Sequence, residues 1–203
     1  SLTSGVDFGF AYWSAGASGF NRWHGDHKTG QGYSTPCNYY NCLKVPIYKG
    51  GAAQIAKMIR TVNPGGGTHL DSAMRIASKY YKNTTYSPID KNLDCQNSYV
   101  ILIGDGDWFS HTHTRGLKIV KDLYSTNKIK TFAIAFGTGI SANGYRYFQD
   151  VAKAGGTGKS IVATTGAALT AQLKAKIGEI IAEKLSFTAP AITATIEKGG
   201  SLF

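Results

Sequence analysis

Two oxygen-bearing side chains stand where an α/β protein gathers its ligands. Thr68 ends the glycine turn Gly65-Gly66-Gly67 at the head of an amphipathic segment, and Asp105 follows the apolar run Tyr99 to Ile103 in Gly104-Asp105-Gly106-Asp107. In an open α/β sheet, ligands collect outside the carboxyl ends of the strands. A hydroxyl and a carboxylate on that rim are hard oxygen donors, suited to Mg²⁺ or Ca²⁺ with water completing the shell. The glycines let backbone come close, and a helix N-terminus favours an anionic ligand. Singly, Thr68 reads as a helix cap and Asp105 as a turn residue. Their joint placement on one α/β pattern is what points to a metal.

Other chemistries are weaker. Lys153 to Ser160 (KAGGTGKS) imitates a phosphate-binding loop, but Lys153 replaces the required first glycine. The order is also helix, loop, strand, the reverse of what that loop needs. His111-x-His113 is expected in a polar loop near Asp105, without a third ligand, general base or nucleophile elbow beside it. Asp7, Asp26, His24 and His27 carry no better pattern. The expectation is a protein that binds and is not an enzyme.

The elements that must position Thr68 and Asp105 follow from periodicity. Val6 to Trp13 (VDFGFAYW) and Leu43 to Tyr48 (LKVPIY) read as strands, the second an edge strand because Pro46 cannot donate to a ladder. Gly51 to Val62 has helical spacing at Ala52, Ile55, Ala56, Ile59 and Val62. Thr68 opens a second helix to Tyr81, with Asp71 as its first-turn acid. Tyr99 to Ile103 and Lys130 to Phe136 are continuous apolar runs, as in strands buried on both faces. Helices are expected over Thr114 to Thr126, Tyr145 to Ala154 and Ala167 to Lys184, with a short strand at Ser160 to Ala163. This alternation predicts an α/β fold: a Rossmann-like, doubly wound, mostly parallel sheet with helices on both faces. Residues 1–185 form the domain, and 186–203 alternate apolar and polar residues, like a linker into a β-rich module.

Composition supports a globular chain. Of 203 residues, 42% are hydrophobic and 17% charged, enough apolar material for a core. No apolar run is long enough to cross a bilayer, and the first residues lack the layout of a signal peptide. The net charge of +10 invites a nucleic-acid partner, but no run of five basic residues occurs, and the lysines sit mostly singly. The insertion 14–42 is rich in glycine and aromatic residues. Its Trp23, Tyr33, Tyr39 and Tyr40, together with Asp107 and Trp108 after the buried strand, are candidate partner contacts, since Tyr and Trp give large contact area at low entropy cost. A self-packed cover for a sheet edge is the competing reading of that loop. Cys37 and Cys42 bracket a short loop that a disulfide could close, leaving Cys95 over. A zinc site lacks both CxxC and histidine at ligand spacing.

These residues resemble a family. Gly65 to Leu70 (GGGTHL) is similar to the GGT-x-L segment of von Willebrand factor A domains, and Gly104-Asp105-Gly106 to their strand-end TDG, with Gly104 where threonine is usual. Phe132 to Gly137 looks like the next strand, and Phe148 to Gly156 (FQDVAKAGG), then Ile161 to Ala163 and a long helix, like the closing stretch. The resemblance spans Val6 to Lys184. A narrower likeness, in Ser87-Pro88-Ile89, Cys95 to Leu102 and the tail from Ser186, is to type IV pilus-tip adhesins of the PilY/PilC type.

The resemblance implies a metal-dependent adhesion site in which Thr68 and Asp105 bind Mg²⁺ or Ca²⁺. It further implies an exported, cell-surface protein at a pilus tip, whose partners are pilus or minor pilin subunits and a host or abiotic surface. The family's first metal motif, Asp-x-Ser-x-Ser, is absent; Ser14-Ala-Gly-Ala-Ser18 lacks the acid. Val6 to Trp13 therefore reads as the family's second strand. The first, central strand is expected outside this sequence, as is a signal peptide, and the metal site without that motif is expected to bind weakly. The alternative is an intracellular A-type module that uses its basic surface for nucleic acid or an assembly partner.

Overall fold

The computed structural model describes residues 5–13, 42–62, 68–93 and 96–186. The expectations for the insertion (Trp23, Tyr33, Cys37, Tyr39 and Tyr40), for the glycines 65–67, for Cys95 and for the tail 187–203 fall outside those residues.

Two sheets form. Strands β1 (Phe8–Ala11) and β2 (Leu43–Tyr48) pair antiparallel, Phe8 against Tyr48 and Phe10 against Val45. Between those pairs β2 has one residue more than β1, and Pro46 lies in that bulge, where a missing N–H does least harm. Gly9 faces the bulge: a Cβ there would lie 2.7 Å from Ile47 Cγ1 and 2.9 Å from the Val45 carbonyl oxygen. Helix α1 (Gly51–Met58) follows, finished by a 3₁₀ turn at Ile59–Thr61.

Strands β3 (Tyr99–Gly104), β4 (Lys130–Phe136) and β5 (Ile161–Ala163) form a parallel sheet in the order β3-β4-β5, in register from Tyr99 opposite Lys130 to Gly104 opposite Ala135. Four helices complete the fold: α2 (Leu70–Tyr81), α3 (Ser110–Asn127), α4 (Ala142–Ala154) and α5 (Gly166–Ser186).

Strand alternation sorts these helices onto two faces. Leu102, Ala133 and Ala135 belong to the main core with Leu70 and Met74 of α2, Val120 and Leu123 of α3, and Phe148 and Val151 of α4. Tyr99 and Ile101 point the other way, towards Ile177, Ile180 and Ile181 of α5. On that face Ile134 and Ile161 are buried but Ile103 of β3 is exposed, so the expected cover over both faces is incomplete at β3. The arrangement is α/β and Rossmann-like at the coarse level. A cavity of about 500 Å³ opens between Val6 to Gly9 at β1 and Ser98 to Ile101 at β3, with the α5 isoleucines and Tyr81 on its walls.

Several helix starts differ from the sequence reading. Helix α2 begins at Leu70, not Thr68, and its cap comes from another element: Thr112 Oγ1 on α3 accepts the Leu70 N–H at 3.2 Å. Asp71 turns away to a buried site, where its Oδ2 accepts from Arg115 Nε at 2.8 Å and Arg75 at 3.1 Å. Helix α3 starts at Ser110, so His111 and His113 lie on its first turn and not in a loop. Its buried stripe is Thr112, Gly116, Val120 and Leu123, while Tyr124 is exposed. Helix α4 begins at Ala142 because Ser141 caps it, its Oγ accepting from Gly144 N at 3.1 Å.

Candidate functional site

The carboxyl ends of the parallel strands form a rim, and Asp105 directly follows the last residue of β3 there. Thr68 meets that rim from α2: its carbonyl accepts the Phe109 N–H at 3.2 Å, which ties residue 68 to the segment leaving β3. Asp105 is exposed and Thr68 half-buried. Neither side chain has a hydrogen-bond or ion-pair partner among the described residues, so both oxygens stay open to a ligand. A hydroxyl and a carboxylate are hard oxygen donors by type. They are not a full set: among the described residues no group of three or more His, Cys, Asp or Glu is placed to hold a metal ion. Gly104, where the resembled family has threonine, has a local reason. A Cβ there would lie 3.0 Å from Phe148 Cζ, so α4 packs its phenylalanine against bare backbone at the strand end.

The residues beyond Asp105 build the rim. Asp107 is committed to α4: its Oδ1 accepts from Ser141 N at 3.1 Å, and its Oδ2 from the Ser141 hydroxyl. Trp108 is only 5% exposed and packs into the core against Phe148, with ring centroids 4.6 Å apart. Its indole therefore offers little area to a partner, although the sequence marks it as a candidate contact. Phe109, which the sequence reading passed over, is the exposed ring at this position. A lone aromatic beside a buried tryptophan carries no periodicity by which to tell which of the two turns outward.

His113 is part of the packing. Its Nδ1 accepts the Trp108 indole N–H at 3.1 Å, its Nε2 faces Asp150 Oδ2 at 3.2 Å, and its ring stacks on Tyr147 at 4.0 Å. Lys153 to Ser160 is the end of α4 and a turn: Gly155 N–H bonds back to Val151, Gly156 has φ +75°, and Thr157 Oγ1 donates to the Thr131 carbonyl at 2.8 Å. That is a helix stop, not a phosphate cradle. Cys42 is buried and disulfide-bonded, with its partner outside the described residues. No helix among the described residues is long and apolar enough to cross a membrane.

No family model matches the sequence, and no curated protein matches it. The fold defines the class: an α/β protein with, among the described residues, a three-stranded parallel sheet, a small antiparallel pair and five helices.

Proposed function

We propose that this chain is a von Willebrand A-type binding module that holds Mg²⁺ or Ca²⁺ at the carboxyl rim of its sheet and engages its partner there without turnover. The observation that carries the reading is the Phe109–Thr68 backbone bond, which ties residue 68 to the segment that Asp105 opens, with neither the Thr68 nor the Asp105 side chain hydrogen-bonded among the described residues. A bound cation would supply a positive centre with open coordination for an acidic group of the partner. Thr68 and Asp105 contribute two oxygens; water and donors from outside the described residues complete the shell. The cavity between β1 and β3 supports the finer fold reading, in which a further strand lies there and brings the missing family motif. The resemblance to pilus-tip adhesins supports a cell-surface module with pilus subunits and a host or abiotic surface as partners.

Calorimetric titration with Mg²⁺ and with Ca²⁺ tests this on wild type, Asp105→Ala and Thr68→Val. The expected result is a weak binding heat that both variants lose. Equal heats in all three proteins would remove the metal from the proposal.

A further inference from the structure

His69 and His111 face each other across the same rim, one just before α2 and the other on the first turn of α3, with ring centroids 5.6 Å apart and planes at 83°. Two backbone cross-links bracket the pair. Phe109 N–H bonds to the Thr68 carbonyl at 3.2 Å on one side, and Leu70 N–H bonds to Thr112 Oγ1 at 3.2 Å on the other. Residues 69 and 111 are thus held opposite each other by the frame that joins α2 to α3. Phe109 packs against both rings, at 5.2 Å from His69 and 5.7 Å from His111. In contrast to His113, whose two nitrogens are engaged, neither His69 nor His111 has a hydrogen-bond partner among the described residues.

We propose that His69 and His111 form a two-histidine site for a borderline-soft divalent cation, Zn²⁺ foremost. Imidazole nitrogen binds Zn²⁺ at about 2.0–2.1 Å, which brings two rings on one tetrahedral ion to a centroid separation of roughly 5 Å. The observed centroid separation of 5.6 Å is close to that, and rotation of the exposed His111 side chain would turn its nitrogen to the ion. Imidazole suits Zn²⁺, Ni²⁺ and Cu²⁺, whereas Thr68 and Asp105 suit Mg²⁺ and Ca²⁺, so the two sites divide by ligand hardness. Among the described residues no third side chain joins the histidines in a metal-holding group. The remaining positions on the ion are therefore left to water or to a donor from a bound partner. This site stands independently of the hard-cation reading, because its ligands are different residues.

Zn²⁺ titration of the full chain against a competing chelator, in excess Mg²⁺, tests the assignment. His69→Ala removes one ligand; His111→Phe removes the other but keeps a ring against Phe109, so loss of packing is not confused with loss of a ligand. Each is expected to weaken Zn²⁺ binding at least tenfold, with unchanged far-ultraviolet circular dichroism, while Asp105→Ala binds Zn²⁺ as wild type does. Zn²⁺ affinity within tenfold of wild type in either histidine variant, or a loss as large in Asp105→Ala, would overturn the proposal.

Discussion

The phenol of Tyr81 donates to the backbone carbonyl of Tyr99 at 2.8 Å, fastening α2 to the first residue of β3. Its chain neighbour Tyr80 does the corresponding work on the other sheet, its oxygen accepting the Ile47 N–H of β2 at 2.9 Å. Consecutive residues lie about 100° apart around a helix, so two adjacent tyrosines can reach in different directions. Helix α2 is in this way the clasp between the antiparallel pair and the parallel sheet, and its N-terminal end carries Thr68 and His69 to the rim.

Tyr80→Phe strips the acceptor from a part-buried backbone N–H and is expected to cost about 1–2 kcal/mol. Tyr81→Phe removes a donor to a carbonyl and should cost about 1 kcal/mol. Urea unfolding measures both. Amide exchange separates them, because Tyr80→Phe should speed exchange in β1 and β2 while leaving β4 protected. Equal acceleration in both sheets would contradict the clasp.

Lys44 sets an alkaline dependence. Its side chain is almost wholly covered, and burial lowers its pKa from 10.5 to about 8. Its ammonium lies 5.0 Å from the Tyr12 ring centroid, which offsets part of that penalty. Between pH 8 and 10.5 the unfolded chain keeps a proton that folded Lys44 has released, so stability rises with pH. Burial acts oppositely on the phenols of Tyr80 and Tyr81, raising both pKa values. Above about pH 10 the unfolded phenols ionise first, and stability falls again. Stability should therefore climb from pH 8 towards 10 and then decline. Lys44→Met should remove the climb, because no group that loses its proton early on folding is then left at that position. A flat wild-type profile between pH 8 and 10 would count against this account.

His113 is expected to matter for stability and not for metal binding. His113→Phe keeps a ring on Tyr147 but leaves the buried Trp108 indole N–H without its acceptor. The cost should be about 1–3 kcal/mol by urea unfolding, with a change in near-ultraviolet circular dichroism from Trp108. Zn²⁺ and Mg²⁺ affinities should match wild type. A tenfold loss of either would show that this cluster also orders the rim.

How much of this was legible in the residues depends on whether local pattern or a distant partner decided the outcome. The strand at Leu43 to Tyr48 and the parallel strands beginning at Tyr99 and Lys130 are found where their apolar runs and Pro46 place them. β4 is buried along much of its run, as an apolar run predicts, whereas β3 is mostly half-buried and exposes Ile103, because what covers each face depends on distant helices. Local pattern starts the two helices at Thr68 and Thr114, whereas the structure starts them at Leu70 and Ser110, where bonds join the two helix ends. Leu70 is capped by Thr112, forty-two residues along the chain, and no short-range signature reports such a bond. Asp71 had the place of a capping acid, but Arg115 on α3 draws it inward. At the rim, Thr68 and Asp105 were visible as types and order. The His69–His111 pairing was not, because it arises only when two helix ends meet.

At Gly116 α3 packs tightly on Leu70 of α2, and the missing side chain permits the contact. A Cβ on Gly116 would lie 2.4 Å from Leu70 Cγ and 2.6 Å from Leu70 Cδ2, and Leu70 is fully buried beneath it. Gly116→Ala gains helix propensity of up to about 1 kcal/mol, but it must push Leu70 from its place, at about 1–3 kcal/mol. The sum should be destabilising. Leu70→Ala alone opens a cavity and should cost about 2–5 kcal/mol. In the double variant the new methyl enters space that Leu70 has vacated, and the propensity gain survives without the clash. The double variant should thus be more stable than the sum of the single losses requires, with a coupling of about 0.5–3 kcal/mol. Strict additivity would mean that α2 and α3 move apart freely at this contact. The frame that holds residues 69 and 111 opposite each other would then be looser than the hydrogen bonds on either side of them indicate.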